Sequence, residues 1–203
     1  TAFVDYAHDM ISKSLGEDWK EKYVVWDNCW GTGNLTRDYK FGELYCSTLY
    51  QSELNIGAEY NPEATKFQFD FLNDEIASKD SLPGVYNDKL PKGLKDALLE
   101  NKPIVFFLNP PYGKATGAGG NLDAGISNTK VKCLMKDEKI EGSQFINQFL
   151  WRIVDIKRKY NLTNCYIACF TNPSWMIKPQ SKNFRSLFFK HFNYKNGVMF
   201  CAS

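Results

Sequence analysis

The sequence predicts an α/β domain in which a mostly parallel, doubly wound sheet carries helices on both faces. Short apolar, β-prone runs alternate with amphipathic segments along the 203 residues, a pattern typical of strand–helix–strand repeats. Hydrophobic residues make up 43% of the chain, which is enough for one substantial core. We therefore expect residues 1–203 to form a single domain.

The elements follow from apolar spacing and from Gly, Pro and Asn breakers. Helical spacing from Phe3 to Leu15 predicts a first helix that ends near Gly16, and a helix is expected to start after the glycines that follow Trp26. Strands are predicted at 23–26, 44–48, 66–69, 103–108 and 164–170, and a sixth begins at 198. Helices are predicted at 51–60, 92–101, 145–156 and 181–192. Since the sixth run is cut short, we expect the last strand or strands of the sheet to be missing.

Residues 114–141 are expected to be a flexible loop or insertion, because glycine crowds residues 114–121. Six cysteines show no CxxC pair and no zinc spacing, so we expect reduced thiols in a cytoplasmic protein, without a metal. No run approaches the roughly 20 apolar residues of a membrane span, and we expect no membrane partner.

Net charge is +2 and unevenly distributed. From Ile146 onward the sequence has nine Lys or Arg and one acid, Asp155, which gives +8 and leaves −6 for residues 1–145. A basic half suits a polyanionic partner. A solvated helix face around 157–159 is the plainer interpretation of the same charges.

A glycine-rich turn follows the first predicted strand. Asp27 precedes Gly31-Thr32-Gly33, and glycines at such a turn let a ligand approach the backbone. Thr36 stands where the third glycine of a dinucleotide fingerprint belongs, and the P-loop GKS or GKT is absent. The turn predicts a nucleotide-type ligand whose cationic end faces Asp27.

The fourth predicted strand stops in Asn109-Pro110-Pro111-Tyr112. One task that suits this motif is to hold and activate an aromatic amine, which is a poor nucleophile because its lone pair is delocalised into the ring. Two acceptors, the Asn109 side-chain oxygen and the Pro110 carbonyl, would localise that lone pair on the nitrogen, and proline holds its own carbonyl rigid. Tyr112 would stack on the target ring. The alternative is a sharp turn rich in breakers, without chemistry.

The two motifs together resemble the class I S-adenosylmethionine-dependent N6-adenine DNA methyltransferases in which the cofactor motif comes first. The resemblance implies a Rossmann-like fold, S-adenosyl-L-methionine as cofactor, and DNA as partner with its target adenine flipped out. It also implies a separate target-recognition region or subunit. No such region is visible in the sequence, so we expect the chain to be a fragment.

The resemblance implies a set of site residues. The catalytic ones are Asn109, Pro110, Pro111 and Tyr112, and the cofactor-binding ones are Phe3, Asp27, Cys29, Gly31, Gly33, Asn34, Thr48, Leu49, Asp70, Phe71 and Asn109. Thr48 takes the place of the usual ribose-binding acid, because Glu59 lies too close to Asp70 for a helix between them. Asp70 could instead cap a turn, and Phe3 and Phe71 could be core aromatics. Trp175 is a candidate for the base pocket.

The same catalytic motif occurs in enzymes that methylate ribosomal RNA bases or a release-factor glutamine. Gly33-Asn34-Leu35-Thr36 is more similar to the DNA enzymes. A methyltransferase-like scaffold that binds nucleic acid without catalysis is the other class of protein that fits. The expected function is adenine-specific DNA methylation, as in restriction-modification or phage-type methylases.

Overall fold

The computed structural model describes residues 2–82, 88–111 and 128–200. One sheet contains five strands, and every neighbouring pair runs parallel. In chain order these are β1 at Val24–Asp27, β2 at Glu43–Thr48, β3 at Thr65–Gln68, β4 at Ile104–Leu108 and β5 at Cys165–Cys169. The spatial order is β3-β2-β1-β4-β5. The predicted α/β, doubly wound fold is therefore confirmed, and the architecture is Rossmann-like.

Helices cover both faces of the sheet. They are α1 Ala2–Leu15, α2 Trp19–Lys22, α3 Gln51–Ile56, α4 Lys92–Leu99, α5 Lys130–Asp137, α6 Phe145–Tyr160, α7 Ser174–Ile177 and α8 Lys182–His191, with a 3-10 turn at Pro179–Ser181. Helices α1, α2 and α3 pack with Val25 and Phe107 on one face. Helices α4, α5, α6 and α8 pack with Trp26 and Phe106 on the other. No helix of the described ranges is long and apolar enough to cross a membrane.

The central strands are buried along their whole length, which explains their continuous apolar sequence. Every residue of β1 and β4 is buried, as expected for parallel strands covered on both faces. The edge strand β3 is half-exposed and carries Lys66 and Gln68. Asp27 is the exception, because it is a carboxylate placed inside this apolar layer.

The chain reverses its direction of travel across the sheet between β1 and β4. From β1 the sheet is built outward through β2 to β3, whereas β4 returns to the other side of β1. Asp27 lies level with Cys46 of β2 and with Phe107 of β4. The ends of those strands extend beyond Asp27, which places it at the reversal point where sheets of this type bind ligands.

Three predictions about elements were wrong. Residues 130–137 form helix α5 instead of belonging to a loop, because Thr129 caps it through the Lys132 amide and Val131 and Met135 are buried. The expected helix after the glycines is a series of tight turns at residues 31–38. Residues 57–60 are turns after α3 ends at Ile56. Residues 112–127, which include most of the glycine-rich stretch, lie outside the described ranges.

The sixth strand is also absent among the residues the structure describes up to 200. Residues 193–200 have no regular structure. They run back along α1, where the Asn196 side chain donates to the Met10 carbonyl at 3.3 Å and the Phe200 and Phe3 rings stack 4.6 Å apart. The sixth strand was predicted from apolar residues alone, and one of these residues, Phe200, contacts helix α1 instead.

Candidate functional site

The glycine-rich turn forms an open backbone surface directly after β1. Gly31 and Gly33 have φ angles of +55° and +84°, conformations that side chains other than glycine rarely adopt. A Cβ added to Gly31 would meet no atom within 4 Å, whereas one on Gly33 would lie 3.1 Å from the Trp30 ring. Gly33 is therefore favoured by its φ angle and by its close approach to Trp30, and Gly31 leaves space in front of the backbone.

Asp27 is held beneath this turn by one chain of hydrogen bonds. The Trp30 indole donates to Thr36 Oγ1 at 3.2 Å, and the Thr36 hydroxyl donates to Asp27 Oδ2 at 3.3 Å. The Trp30 amide also donates to the Ser47 carbonyl at 2.9 Å, which ties the turn to β2. Thr36, at the position of the missing third glycine, is therefore a site residue that we did not predict.

The Asp27 carboxylate is not satisfied by the protein. Its side chain has 0% exposure, and Oδ1 has no hydrogen-bond partner of good geometry in the described part of the chain. Burial raises the pKa of Asp27 to about 7, and the Thr36 hydroxyl and Cys29 amide offset only part of that rise. A buried acceptor of this kind favours a cationic ligand group.

Asn28 adds a second unsatisfied group. Its side chain is 2% exposed, and neither its amide oxygen nor its amide nitrogen has a partner within residues 2–82, 88–111 and 128–200. A buried polar group left without partners costs about 1–3 kcal/mol. Two adjacent residues thus offer unused acceptors and a donor at the carboxyl end of β1.

An acid that the sequence analysis did not single out, Glu53, lies beside the end of β2. Thr48 is 5% exposed, and its hydroxyl donates to the carboxylate of Glu53 in the first turn of α3. Leu49, beside Thr48, is 45% exposed. The backbone at Thr48 is held in place because its carbonyl accepts a hydrogen bond from the Phe69 amide at 2.9 Å.

At the end of β3, Asp70 caps a turn. Its Oδ1 accepts from the amides of Leu72 and Asn73, both at 3.0 Å, and its Oδ2 accepts from the Asn73 side chain at 2.8 Å. Phe71 is 3% exposed and stacks on Phe149 at 5.5 Å. Asp70 therefore caps a turn and Phe71 packs in the core, and the cofactor-binding roles expected of both residues stay predictions.

The predicted catalytic motif follows β4 at the same edge of the sheet. Asn109 is exposed, Pro110 is buried and Pro111 is exposed. Asp27 is level with Phe107, so Asn109 begins roughly 7 Å farther along the neighbouring strand. The Leu108 carbonyl accepts from the Phe170 amide at 2.9 Å, which anchors the strand end to β5. Tyr112 lies outside the described residues.

The remaining candidates are spread more widely. Phe3 is 59% exposed, and its ring stacks on Phe200. Asn34 is exposed on the glycine-rich turn, and Cys29 is half-buried with its thiol pKa raised by burial, which keeps it protonated. Trp175 is 6% exposed and packs edge-on against Phe188 at 5.4 Å. Trp175 therefore packs in the core, and its place beside a base pocket stays a prediction.

The basic side chains of residues 157–159 form hydrogen bonds and ion pairs with other residues of the chain. Lys157 donates to the Leu162 carbonyl at 2.6 Å, Arg158 pairs with Glu138 at 2.8 Å, and Lys159 pairs with Asp155 at 2.9 Å. These contacts fit the plainer interpretation, a solvated helix face. The cluster therefore adds nothing to the argument for a polyanionic partner.

No protein-family model matches the chain, and no curated protein matches its sequence. The function must therefore be argued from the residues at the carboxyl edge of the sheet.

Proposed function

We propose that this chain binds S-adenosyl-L-methionine and catalyses methyl transfer to the N6 amino group of adenine in DNA. One juxtaposition carries the proposal. The unsatisfied Asp27 carboxylate, the open turn at Gly31 and the Asn109-Pro110 strand end meet at the reversal point between β1 and β4. That point is where doubly wound sheets bind nucleotide ligands.

The residues around β1 fit such a cofactor. Asp27 Oδ1 is a buried acceptor without a partner among the described residues, and the ammonium of an amino acid moiety would supply one. The space in front of Gly31 admits a ligand against the backbone. When bound, the cofactor supplies a methyl group activated by a sulfonium centre.

The strand end after β4 would prepare the acceptor. The Asn109 side-chain oxygen and the Pro110 carbonyl accept hydrogen bonds from the two amine hydrogens and localise the nitrogen lone pair. A neutral amide suits this task because it introduces no uncompensated charge beside a dry pocket. Burial of Pro110 holds its carbonyl direction. As the nitrogen–carbon bond formed, the carbon–sulfur bond of the sulfonium would break with its electron pair going to sulfur, so that S-adenosyl-L-homocysteine leaves. The nitrogen would then lose one proton to water.

The choice of adenine in DNA depends on the motif details. The motif specifies an amine acceptor, and the Gly33-Asn34-Leu35-Thr36 segment favours the DNA enzymes over the glutamine-modifying ones. Flipping an adenine from a duplex costs a few kcal/mol, which stacking on Tyr112 would partly offset by roughly 1–3 kcal/mol. A separate recognition region or subunit would recognise the target sequence and add affinity for DNA.

Methyl incorporation tests the proposal. Labelled S-adenosyl-L-methionine is supplied with duplex DNA, ribosomal RNA or a release factor side by side, using wild type and Asn109→Ala. The expected result is label in DNA as N6-methyladenine, lost in the variant. Label in RNA or protein instead would support the corresponding alternative. Absence of cofactor binding at millimolar concentration would reject the enzyme in favour of the non-catalytic scaffold.

A further inference from the structure

We propose that Glu53, rather than Thr48, binds the ribose hydroxyls of the nucleoside cofactor, with Thr48 as its positioning residue. This inference rests on the proposed cofactor. The first observation is the contact itself, because the Thr48 hydroxyl donates to Oε2 of Glu53. The Thr48 hydroxyl can still accept a hydrogen bond, but as a neutral group it is a weaker acceptor than the ionised carboxylate beside it.

The Glu53 carboxylate keeps acceptor capacity for a ligand. The Thr48 hydroxyl donates to Oε2 alone, which leaves Oε1 and a second lone pair of Oε2 able to accept. The side chain is half-buried, so it is reachable without being enclosed. An ionised carboxylate accepts through two oxygens, which matches two adjacent ribose hydroxyl donors.

The position of Glu53 relative to the glycine-rich turn is fixed by packing. A Cβ on Gly57 would overlap the ring of Trp30, so the end of α3 lies directly against the residue that precedes Gly31. The Gly57 amide donates to the Glu53 carbonyl at 3.0 Å within the same helix. In doubly wound nucleotide-binding folds, an acid about 20 residues after the glycine-rich turn bonds the ribose. Glu53 follows Gly31 by 22 residues, since 53 − 31 = 22.

The loop that presents the acid is held in place. The Leu49 carbonyl accepts from the Gln68 side chain at 2.9 Å, and the Thr48 carbonyl accepts from the Phe69 amide at 2.9 Å. Leu49 and Tyr50 are 45% and 60% exposed. A polar acceptor beside exposed apolar side chains suits a nucleoside, which presents hydroxyls on one side and a flat ring on the other.

Calorimetric titration with two probes tests this assignment: S-adenosyl-L-homocysteine and its 2′-deoxyribose analogue. Wild type should prefer the ribose form by roughly 10- to 100-fold, the range of a hydrogen bond to a charged group. Glu53→Ala should lose most of this preference by weakening only the ribose probe. Glu59→Ala is the matched control, because Glu59 is an exposed acid near the end of the same helix, and it should keep the wild-type preference.

Thr48 variants separate positioning from a structural effect. Thr48→Val should reduce the preference for ribose and Thr48→Ser should retain it, because serine keeps the hydroxyl that holds Glu53. Circular dichroism checks that each variant folds, and Glu53→Gln replaces Glu53→Ala if the latter does not fold. A wild-type preference in the folded Glu53 variant overturns the assignment while leaving the cofactor proposal intact. If wild type binds neither probe at millimolar concentration, the proposed function fails first, and the assignment fails with it.

Discussion

Replacing Asp27 with Asn should stabilise the unliganded protein at alkaline pH. Burial raises the pKa of Asp27 from 3.8 to about 7, and no Lys or Arg pairs with it among the described residues. At about 1.4 kcal/mol for each step in pKa, a difference of about 3 corresponds to about 4 kcal/mol. The Asn side chain has the same shape and can still accept from Thr36, but it cannot ionise.

The sign follows from proton binding. Below about pH 4 both the folded and unfolded states hold the proton, so ionisation costs nothing. Between about pH 4 and 7 the folded protein keeps a proton that the unfolded chain has lost, so the free energy of unfolding of wild type falls by about 1.4 kcal/mol per pH unit. Above pH 7 the full cost is present. The stability advantage of Asp27→Asn should therefore grow with pH and level off near pH 7 to 8.

Urea denaturation at pH 5, 6, 7 and 8, followed by tryptophan fluorescence, measures this difference directly. Asp9→Asn is the matched control, because it makes the same substitution at an exposed position of α1. A pH-independent difference between Asp27→Asn and wild type would show that Asp27 is not a buried, unpaired carboxyl group. The carboxyl group at the end of β1 would then give the site no electrostatic preference for a cation.

Four further predictions concern the ligand, Asn109 and two glycines. Cofactor affinity should rise by up to tenfold per pH unit from pH 5 to about 7, because Asp27 loses its proton over this range. Affinity should fall above about pH 8, because the amine of the ligand then loses its own proton. Calorimetric titration measures this profile, and an affinity that does not change with pH contradicts the contact with Asp27. Asn109→Ala should abolish methyl transfer with cofactor affinity changed less than threefold, and equal turnover would refute its catalytic role. Gly57→Ala should destabilise the fold by about 1–3 kcal/mol, because its Cβ overlaps the buried Trp30 ring, as measured by urea denaturation. Gly31→Ala, where space is open and only the φ of +55° opposes the change, should cost about 1 kcal/mol.

The sheet could be predicted because its strands are short apolar runs bounded by breakers. Burial on both faces leaves no polar alternation, and β4, with the sequence Ile-Val-Phe-Phe-Leu, carries this pattern clearly. Helix α5 was missed for the opposite reason. Two buried residues, Val131 and Met135, place it in the core, and the lysines around them obscure the apolar period. Apolar character also misled the prediction at residues 198–200, where Phe200 contacts α1.

Candidate site residues could be predicted where their position after a strand identifies them. They could not be predicted where their role depends on a contact that only the folded structure shows. Asp27, Gly31 and Asn109 could be located because each sits at the end of a recognisable strand. The pairing of Thr48 with Glu53 depends on how closely α3 returns to the strand end. Asp70 looks the same in sequence whether or not it caps a turn, and its hydrogen bonds from the amides of Leu72 and Asn73 are visible only in the structure.

The energetic cost at the end of β1 is itself an argument for a ligand. Asp27 and Asn28 are both buried, and both contain atoms without hydrogen-bond partners in the described chain. Packing does not require either group, since the layer around Asp27 is apolar and an uncharged residue of similar size would fit it. Unfavourable groups of this kind cluster at functional sites, where a ligand compensates what the fold does not. A cationic ligand that meets the Asp27 carboxylate would favour its ionised form and so remove the penalty. Its binding should therefore stabilise wild type more at pH 8 than it stabilises Asp27→Asn.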